Sequence, residues 1–414
     1  MWRLKINNMF LKRFFTTILI IFSILMMYAS PVKAISYADF LLLCLYPILI
    51  IDLIKKEKKG VKIIIYSPLF VVFLYVLFQF LFLLVFKDKI YIEEVLNRTI
   101  HYLFYLFTLM IFVKNYFDYT FGYRFFKIFA LISSIYLIIQ YFLYLFFAYD
   151  LSGMLPVKMM IETVNDSGIR SIAAASNRPR SFFIEPSAYA LFVCFFLSLE
   201  LYKKNNSKIN GFIVEIICSF GILLSGSSLG IILCSLIWGV FIIKSTNIFS
   251  KKANLKVIVI LMICIPVIVF IYIKSPFYDF FIDRMFSDNG ELGQSAIGRF
   301  GGSGIVFNFQ NSTNFEIVFG KGMRDYLNNQ YIPALPRIFF YYGLMGYIVY
   351  GIAIYLMIKK ADERSRFLIL IMIIASIGGD AFFGAYLMQT IPFISNSKKV
   401  WKEGTMLSER NYYS

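Results

Sequence analysis

Apolar runs of about twenty residues, separated by short polar segments, recur along this 414-residue chain and leave few folds open to it. A helix rises about 1.5 Å per residue, so roughly 20 residues cross the hydrocarbon core of a bilayer. Nine stretches suit that role: 14–30, 37–54, 63–86, 99–113, 128–148, 187–202, 228–243, 257–273 and 338–358. Residues 211–224 are apolar but hold Glu215 and stop at an SGSS turn, which pairs them with 228–243 as a hairpin of shortish helices. Residues 367–396 are apolar but broken at Gly378, Gly379 and Asp380, which suits one long helix or two short ones. The expectation is an all-α fold, a polytopic transmembrane helical bundle of 11 or 12 spans that forms a single membrane domain over residues 1–414. Composition agrees, because 59% of residues are hydrophobic and only 16% charged, too few to coat a soluble globule of this size.

Net charge is +17, yet the basic residues fall in short clusters between apolar runs, the pattern of loops facing anionic lipid rather than nucleic acid. The first apolar run has a basic start and small residues near Ala34, as a signal peptide does, but a second span begins within a few residues, so an uncleaved first helix is expected. With the N-terminus inside, Lys55, Lys56, Lys58, Lys59 and Lys62 face the cytoplasm, as do the clusters at Lys203, Lys251, Lys359 and Arg364. The tail basics Lys398, Lys399, Lys402 and Arg410 follow the same rule only with 12 spans, which favours two short terminal helices. Cys44, Cys194, Cys218, Cys234 and Cys264 all lie in apolar segments without ligand spacing, so neither a disulfide framework nor a metal site is expected, and no cofactor.

The same alternation places two long connections outside, 149–186 and 274–336. With Arg337 at their edge they hold seven arginines and three lysines, whereas lysine dominates the cytoplasmic loops. Lysine suits a solvated charge, but the planar guanidinium grips phosphate or carboxylate by two parallel hydrogen bonds and stays charged. The outer arginines are therefore candidates for an anionic ligand. The alternative is that they pair with Asp150, Glu162, Asp166, Asp283, Asp288 and Glu291, or with lipid phosphates. In NRPRSFFIEPSAYALF, Arg178, Arg180 and Glu185 gather where Pro186 and Ser187 open the next span; Glu185 suits either a carboxylate at a helix start or one facing a ligand at the membrane surface. The second loop offers AIGRFGG with Arg299, FGKGMRDY with Gly320, Gly322 and Arg324, and LPRIFFYYGLMG with Arg337. Its glycines suit tight turns or close backbone approach, without the strand and helix of a nucleotide-binding loop. His101, Glu215, Gln79 and Gln140 are polar groups within spans, each either functional or satisfied by helix packing.

The segments RSFFIEPSAYALFV, LLSGSSLGIILCSL and FGKGMRDYLNNQYIPALPRIFFYYGLMGYIVYG, in this order and with two long outer loops, resemble the O-antigen and capsular polysaccharide polymerases (Wzy-like proteins) over most of residues 120–360. Arg180, Glu185, Pro186 and Ser187 look like the first-loop signature of that superfamily, and Arg299, Gly320, Gly322 and Arg337 match positions of its second loop. LLSGSSLG departs from the commoner form, which carries an arginine after the second serine. The resemblance implies a membrane glycosyltransferase fold of the C type at the outer face of a bacterial inner membrane, working on undecaprenyl-diphosphate-linked oligosaccharides as donor and acceptor. It implies Glu185, Arg180 and Arg337 as catalytic residues, and Arg178, Arg299, Arg324, Gly320 and Gly322 as substrate-binding ones. A chain-length regulator and a flippase are the implied protein partners. Three other readings stand beside it, one of them a structural or scaffold membrane protein, which would not need the arginine bias. An O-antigen ligase shares the architecture, but its second loop carries a histidine, and the only one here is His101. A flippase or transporter would bind and move the same lipid without chemistry, and would show broken helices and short outer connections.

Overall fold

Fourteen helices and one π turn are described in a computed structural model covering residues 8–32, 35–86, 89–153, 155, 157–160, 178–203, 212–246, 312–324 and 332–410. They run α1 (Asn8–Ile20), α2 (Phe22–Leu25), α3 (Tyr37–Lys58), α4 (Ser67–Phe86) and α5 (Lys89–Phe107). The π turn Thr108–Phe112 leads into α6 (Val113–Tyr116), followed by α7 (Tyr119–Phe147), α8 (Pro186–Lys203), α9 (Ile213–Leu224) and α10 (Ser228–Thr246). After these come α11 (Asn314–Phe319), α12 (Ala334–Lys360), α13 (Glu363–Gly378) and α14 (Gly384–Arg410). Isolated bridges, Tyr28 with Met159 and Ala29 with Ser36, are the nearest approach to a sheet among the described residues. Tyr37–Lys58, Ser67–Phe86, Tyr91–Tyr116, Tyr119–Phe147 and Ala334–Lys360 are long and apolar enough to cross a bilayer, and Pro186–Tyr202, Ile213–Leu224 and Ser228–Lys244 are shorter apolar helices. The chain is a helical membrane protein. The expected span at 257–273 lies outside the described residues, and 367–396 forms two helices, α13 and α14, separated at 379–383.

Helix ends follow local chemistry. Ser36 caps α3, its Oγ accepting from Asp39 N at 3.2 Å, and Asp362 caps α13 by accepting from Ser365 N at 2.9 Å. Lys55, Lys56 and Lys58 occupy the last turn of α3, and Lys359 and Lys360 that of α12, where the helix dipole favours cations.

Contacts divide the chain into two compact units. The first holds residues 1–128, 155–170 and 305–414, and the second 129–154 and 171–304. In the first unit one end collects the lysines. Lys360 Nζ donates to Ser67 Oγ, Lys114 Nζ to Ser395 O, and the Tyr116 hydroxyl to Asp52 at 2.7 Å, with Lys56 paired to the same carboxylate. Helix α1 joins this end, since Thr16 Oγ1 accepts from Asp118 N at 2.9 Å. The π turn serves the same region. The Met110 carbonyl accepts from Tyr66 N at 2.9 Å, which ties the start of α4 to the middle of the long rod.

The opposite end of the first unit is built on a broken helix. Within α12, Gly343 has φ 64 and ψ −161, so the carbonyls of Phe340, Tyr341 and Tyr342 lose regular helical partners. In an apolar environment each needs another donor. Lys321 N reaches Phe340 O at 2.9 Å, Gly322 N reaches Tyr341 O at 2.9 Å, and the Tyr75 hydroxyl reaches Tyr342 O at 2.8 Å. Gln79 Nε2 donates to Tyr341 O and, at 2.6 Å, to Phe319 O. The FGKG turn after α11 thus lies directly on the break, and two glycines permit it. Gly320 has φ 80 and a Cβ there would sit 2.3 Å from Tyr341 O; a Cβ on Gly343 would sit 2.4 Å from Val318 O.

In the second unit α8 is the core helix, with every residue from Ala188 to Leu201 buried. It packs on α9 and α10 through small residues. A Cβ on Gly230 would lie 2.4 Å from Ala190 Cβ, and one on Gly221 2.2 Å from the Tyr189 hydroxyl. Close approach of this kind is how apolar helices associate where lipid offers no hydrophobic drive.

Gly343→Ala should therefore lower stability by about 3 kcal/mol or more, since it adds a left-handed alanine to a backbone collision. Gly351→Ala is the control, because nothing lies within 4 Å of its Cβ position. Thermal unfolding of the two variants in detergent should separate them clearly.

Candidate functional site

The first long connection begins where α7 ends, and its opening residues turn back along the helix. Ala148 takes a left-handed conformation with φ 51 and its N–H donates to Tyr144 O at 2.9 Å, the single bond of a left-handed helix end, while Tyr149 N donates to Leu143 O at 3.3 Å. The returning strand is pinned to the helix it left. Gln140 Nε2 donates to Leu151 O at 2.8 Å, and the Tyr136 hydroxyl to Ser152 O at 2.7 Å. The RSFF segment is pinned to the same helix by Ser181, which is fully buried at φ 56. Its N–H donates to Gln140 Oε1 at 2.7 Å and its hydroxyl to Ser133 O at 2.8 Å. Gly153 backs this turn so closely that a Cβ would fall 1.8 Å from Ser181 O. One amide side chain, Gln140, therefore holds both edges of an open cleft.

The cleft is lined by Arg178, Arg180, Tyr141, Tyr144, Asp150 and Ser152, among others. Both arginines are anchored to backbone carbonyls, Arg180 Nη1 to Ile184 O at 3.1 Å and Arg178 Nη1 to Gly226 O at 3.4 Å. A guanidinium has five N–H donors, so it can be oriented by the backbone and face a ligand at once. Gly226 belongs to the LLSGSSLG turn, so the hairpin tip without an arginine of its own has Arg178 beside it. Glu185 does not line this cleft. Its carboxylate accepts from Ser187 Oγ, and its carbonyl from Ala188 N at 3.1 Å, which makes it the exposed residue that opens α8.

The remaining candidates among the described residues belong to the first unit. Gly320 and Gly322 form the turn on the broken helix, Arg324 lies over the Tyr91 ring at 5.0 Å, and Arg299 lies outside the described residues. Arg337 has structural partners. Its Nη1 donates to Asp380 Oδ2 at 2.8 Å, its Nε and Nη2 to Ile332 O at 3.1 and 2.6 Å, and its Cζ lies 5.7 Å from the Phe383 ring centroid. Ala334 N donates to Gly379 O at 2.9 Å beside this pair, so the start of α12 is fastened to the gap between α13 and α14. Asp380 Oδ1 is buried without a hydrogen-bond partner among the described residues. Arg98 hydrogen-bonds the Tyr341 hydroxyl nearby, and the Tyr102 and Tyr350 hydroxyls meet at 2.6 Å.

Sequence reading missed Arg98, Tyr102 and the role of Asp380. The four-residue spacing of Arg98 and Tyr102 on one helix face was the available signal. His101 is satisfied by Asp39 at 3.0 Å; that carboxylate also takes the Ser36 and Tyr105 hydroxyls at 2.6 and 2.9 Å. Glu215 is fully buried in α9. Comparison of the chain with protein-family models, curated proteins and solved structures gives no match.

Gln140→Leu should strand a buried N–H at Ser181 and a carbonyl at Leu151, each worth about 1–3 kcal/mol, and lower the melting temperature of the purified protein. For the other unit, Arg337→Ala leaves Asp380 without its cation, so the double variant with Asp380→Ala should melt no lower than Arg337→Ala alone.

Proposed function

We propose that this chain is a polysaccharide repeat-unit polymerase of the Wzy-like kind, joining oligosaccharides carried on undecaprenyl diphosphate at the outer face of a bacterial inner membrane. The observation that carries this reading is the cleft where Arg178 and Arg180 meet Tyr141, Tyr144 and Asp150, at the end of an apolar helix long enough to cross a bilayer. A lipid diphosphate is the leaving group of such a transfer. Breaking its bond to the sugar develops negative charge, and two backbone-anchored guanidiniums stabilise that charge without reorganising. The resemblance of RSFFIEPS to the first-loop signature supports this reading for Arg180. The C-type glycosyltransferase fold, 11 or 12 spans and the chain-length partner belong to this proposal. Ligation to a lipid core, which uses the same donor, is the alternative.

A transporter reading draws on one specific observation, the helices interrupted at Gly343 and between Gly378 and Gly384. Discontinuous helices form ion and substrate sites in secondary transporters through freed backbone groups. Here the freed carbonyls of Phe340, Tyr341 and Tyr342 accept from Lys321, Gly322, Gln79 and Tyr75. The break serves packing of the chain on itself, which favours transfer chemistry.

The test is reconstitution in vesicles with lipid-linked repeat units extracted from the native host. Wild type should produce a ladder of polymer, and Arg178→Ala and Arg180→Ala should each slow its formation by about 10²–10³-fold. Unchanged ladders would remove both arginines from the chemistry. Movement of lipid-linked sugar across the vesicle without polymer would decide for the transporter.

A further inference from the structure

A transferase needs a group to take the proton of the incoming hydroxyl, and the sequence directs attention to Glu185. The geometry points to Asp150: we infer that Asp150 is the catalytic carboxylate of the acceptor, with Tyr141 and Tyr144 as the surface on which the acceptor sugar lies. This inference rests on the transferase reading above.

Three observations bring it out. Asp150 lines the same cleft as Arg178 and Arg180, whereas Glu185 does not. Among the described residues the Asp150 carboxylate makes no hydrogen bond or ion pair, although two guanidiniums line the cleft with it; Glu185 is engaged by the Ser187 hydroxyl. The position of Asp150 is also fixed without its own side chain. The left-handed Ala148 reverses the chain, and Gln140 and Tyr136 fasten Leu151 and Ser152 to α7. A carboxylate held by its backbone and not by its oxygens is available to a ligand.

Tyr141 and Tyr144 supply the other part. They are three residues apart, so they share one face of α7, the face that lines the cleft. An aromatic ring offers a flat, weakly negative surface to the C–H faces of a pyranose, and the phenol hydroxyl offers a hydrogen bond at its rim. The arginine side of the cleft suits a diphosphate and the tyrosine and carboxylate side a neutral sugar.

The acceptor oxygen forms a bond to the anomeric carbon of the donor sugar as the bond from that carbon to the lipid diphosphate breaks. The diphosphate leaves with the bonding pair beside Arg178 and Arg180, and the hydroxyl proton passes to Asp150.

The experiment compares full-length wild type, Asp150→Asn and Asp150→Glu in vesicles, reading polymer formation from lipid-linked repeat units and, separately, retention of tritiated farnesyl diphosphate as a probe of the arginine side. Asp150→Asn should lower the rate by about 10²–10⁴-fold and leave farnesyl diphosphate retention within about twofold, with Asp150→Glu recovering part of the rate. A rate within about threefold of wild type for Asp150→Asn overturns the assignment while leaving the transferase reading intact. Equal loss of rate and retention also overturns it, since Asp150 would then only hold the cleft together. A wild type that retains the probe but transfers nothing removes the transferase reading, and the assignment with it.

Discussion

Backbone amides that leave a helix inside an apolar environment have no water to turn to, and this constraint organises both units. Two glutamines answer it. In the first unit Gln79 reaches from α4 to carbonyls on both sides of the Gly320 and Gly343 crossing. In the second, Gln140 accepts from one edge of the cleft and donates to the other. Gln79 uses its amide NH₂ as donor to two carbonyls, and Gln140 uses donor and acceptor together, which a carboxylate could not do. The irregular segments are ordered because these two amides replace the solvent.

The arginines divide according to what surrounds them. Arg337 is held by Asp380 and Ile332 O, and its work among the described residues is to join the start of α12 to the gap before α14. Arg178 and Arg180 donate to the backbone carbonyls of Gly226 and Ile184 and line an open cleft with tyrosines. Guanidiniums that look equivalent as a compositional bias thus serve different ends, one in a lock between helix breaks and two at a surface able to take an anion.

Most of the helical architecture is legible in the sequence. Runs such as 37–54, 63–86 and 338–358 become α3, α4 and α12 because length and apolarity suffice for a helix in lipid. The break at Gly378 to Asp380 is readable for the same reason, since two glycines interrupt an apolar run. The break at Gly343 is not, because a single glycine is common in membrane helices and only the docking of FGKG forces it open. The cleft is half legible. Arg178 and Arg180 announce themselves by spacing, but Asp150 reads as one more loop carboxylate until the turn at Ala148 brings it beside them. Glu185 draws attention by its motif, yet its carboxylate bonds to its own helix start. Tertiary reversal, which local pattern does not encode, decides between the two acids.

The π turn at Thr108–Phe112 sets the phase of the rod. A wide turn holds one residue more than an α-helical turn would in the same place. Removing that residue would wind the rod into regular helix and rotate everything upstream or downstream by about 100°, the angle per residue of a 3.6-fold screw. Lys114 and Asn115 would then turn away from Ser395 and Ile64, while Arg98 and Tyr102 kept their places, or the reverse. The bulge lets one continuous rod keep two phases, so the chemistry at either end can drift in sequence without retuning the other.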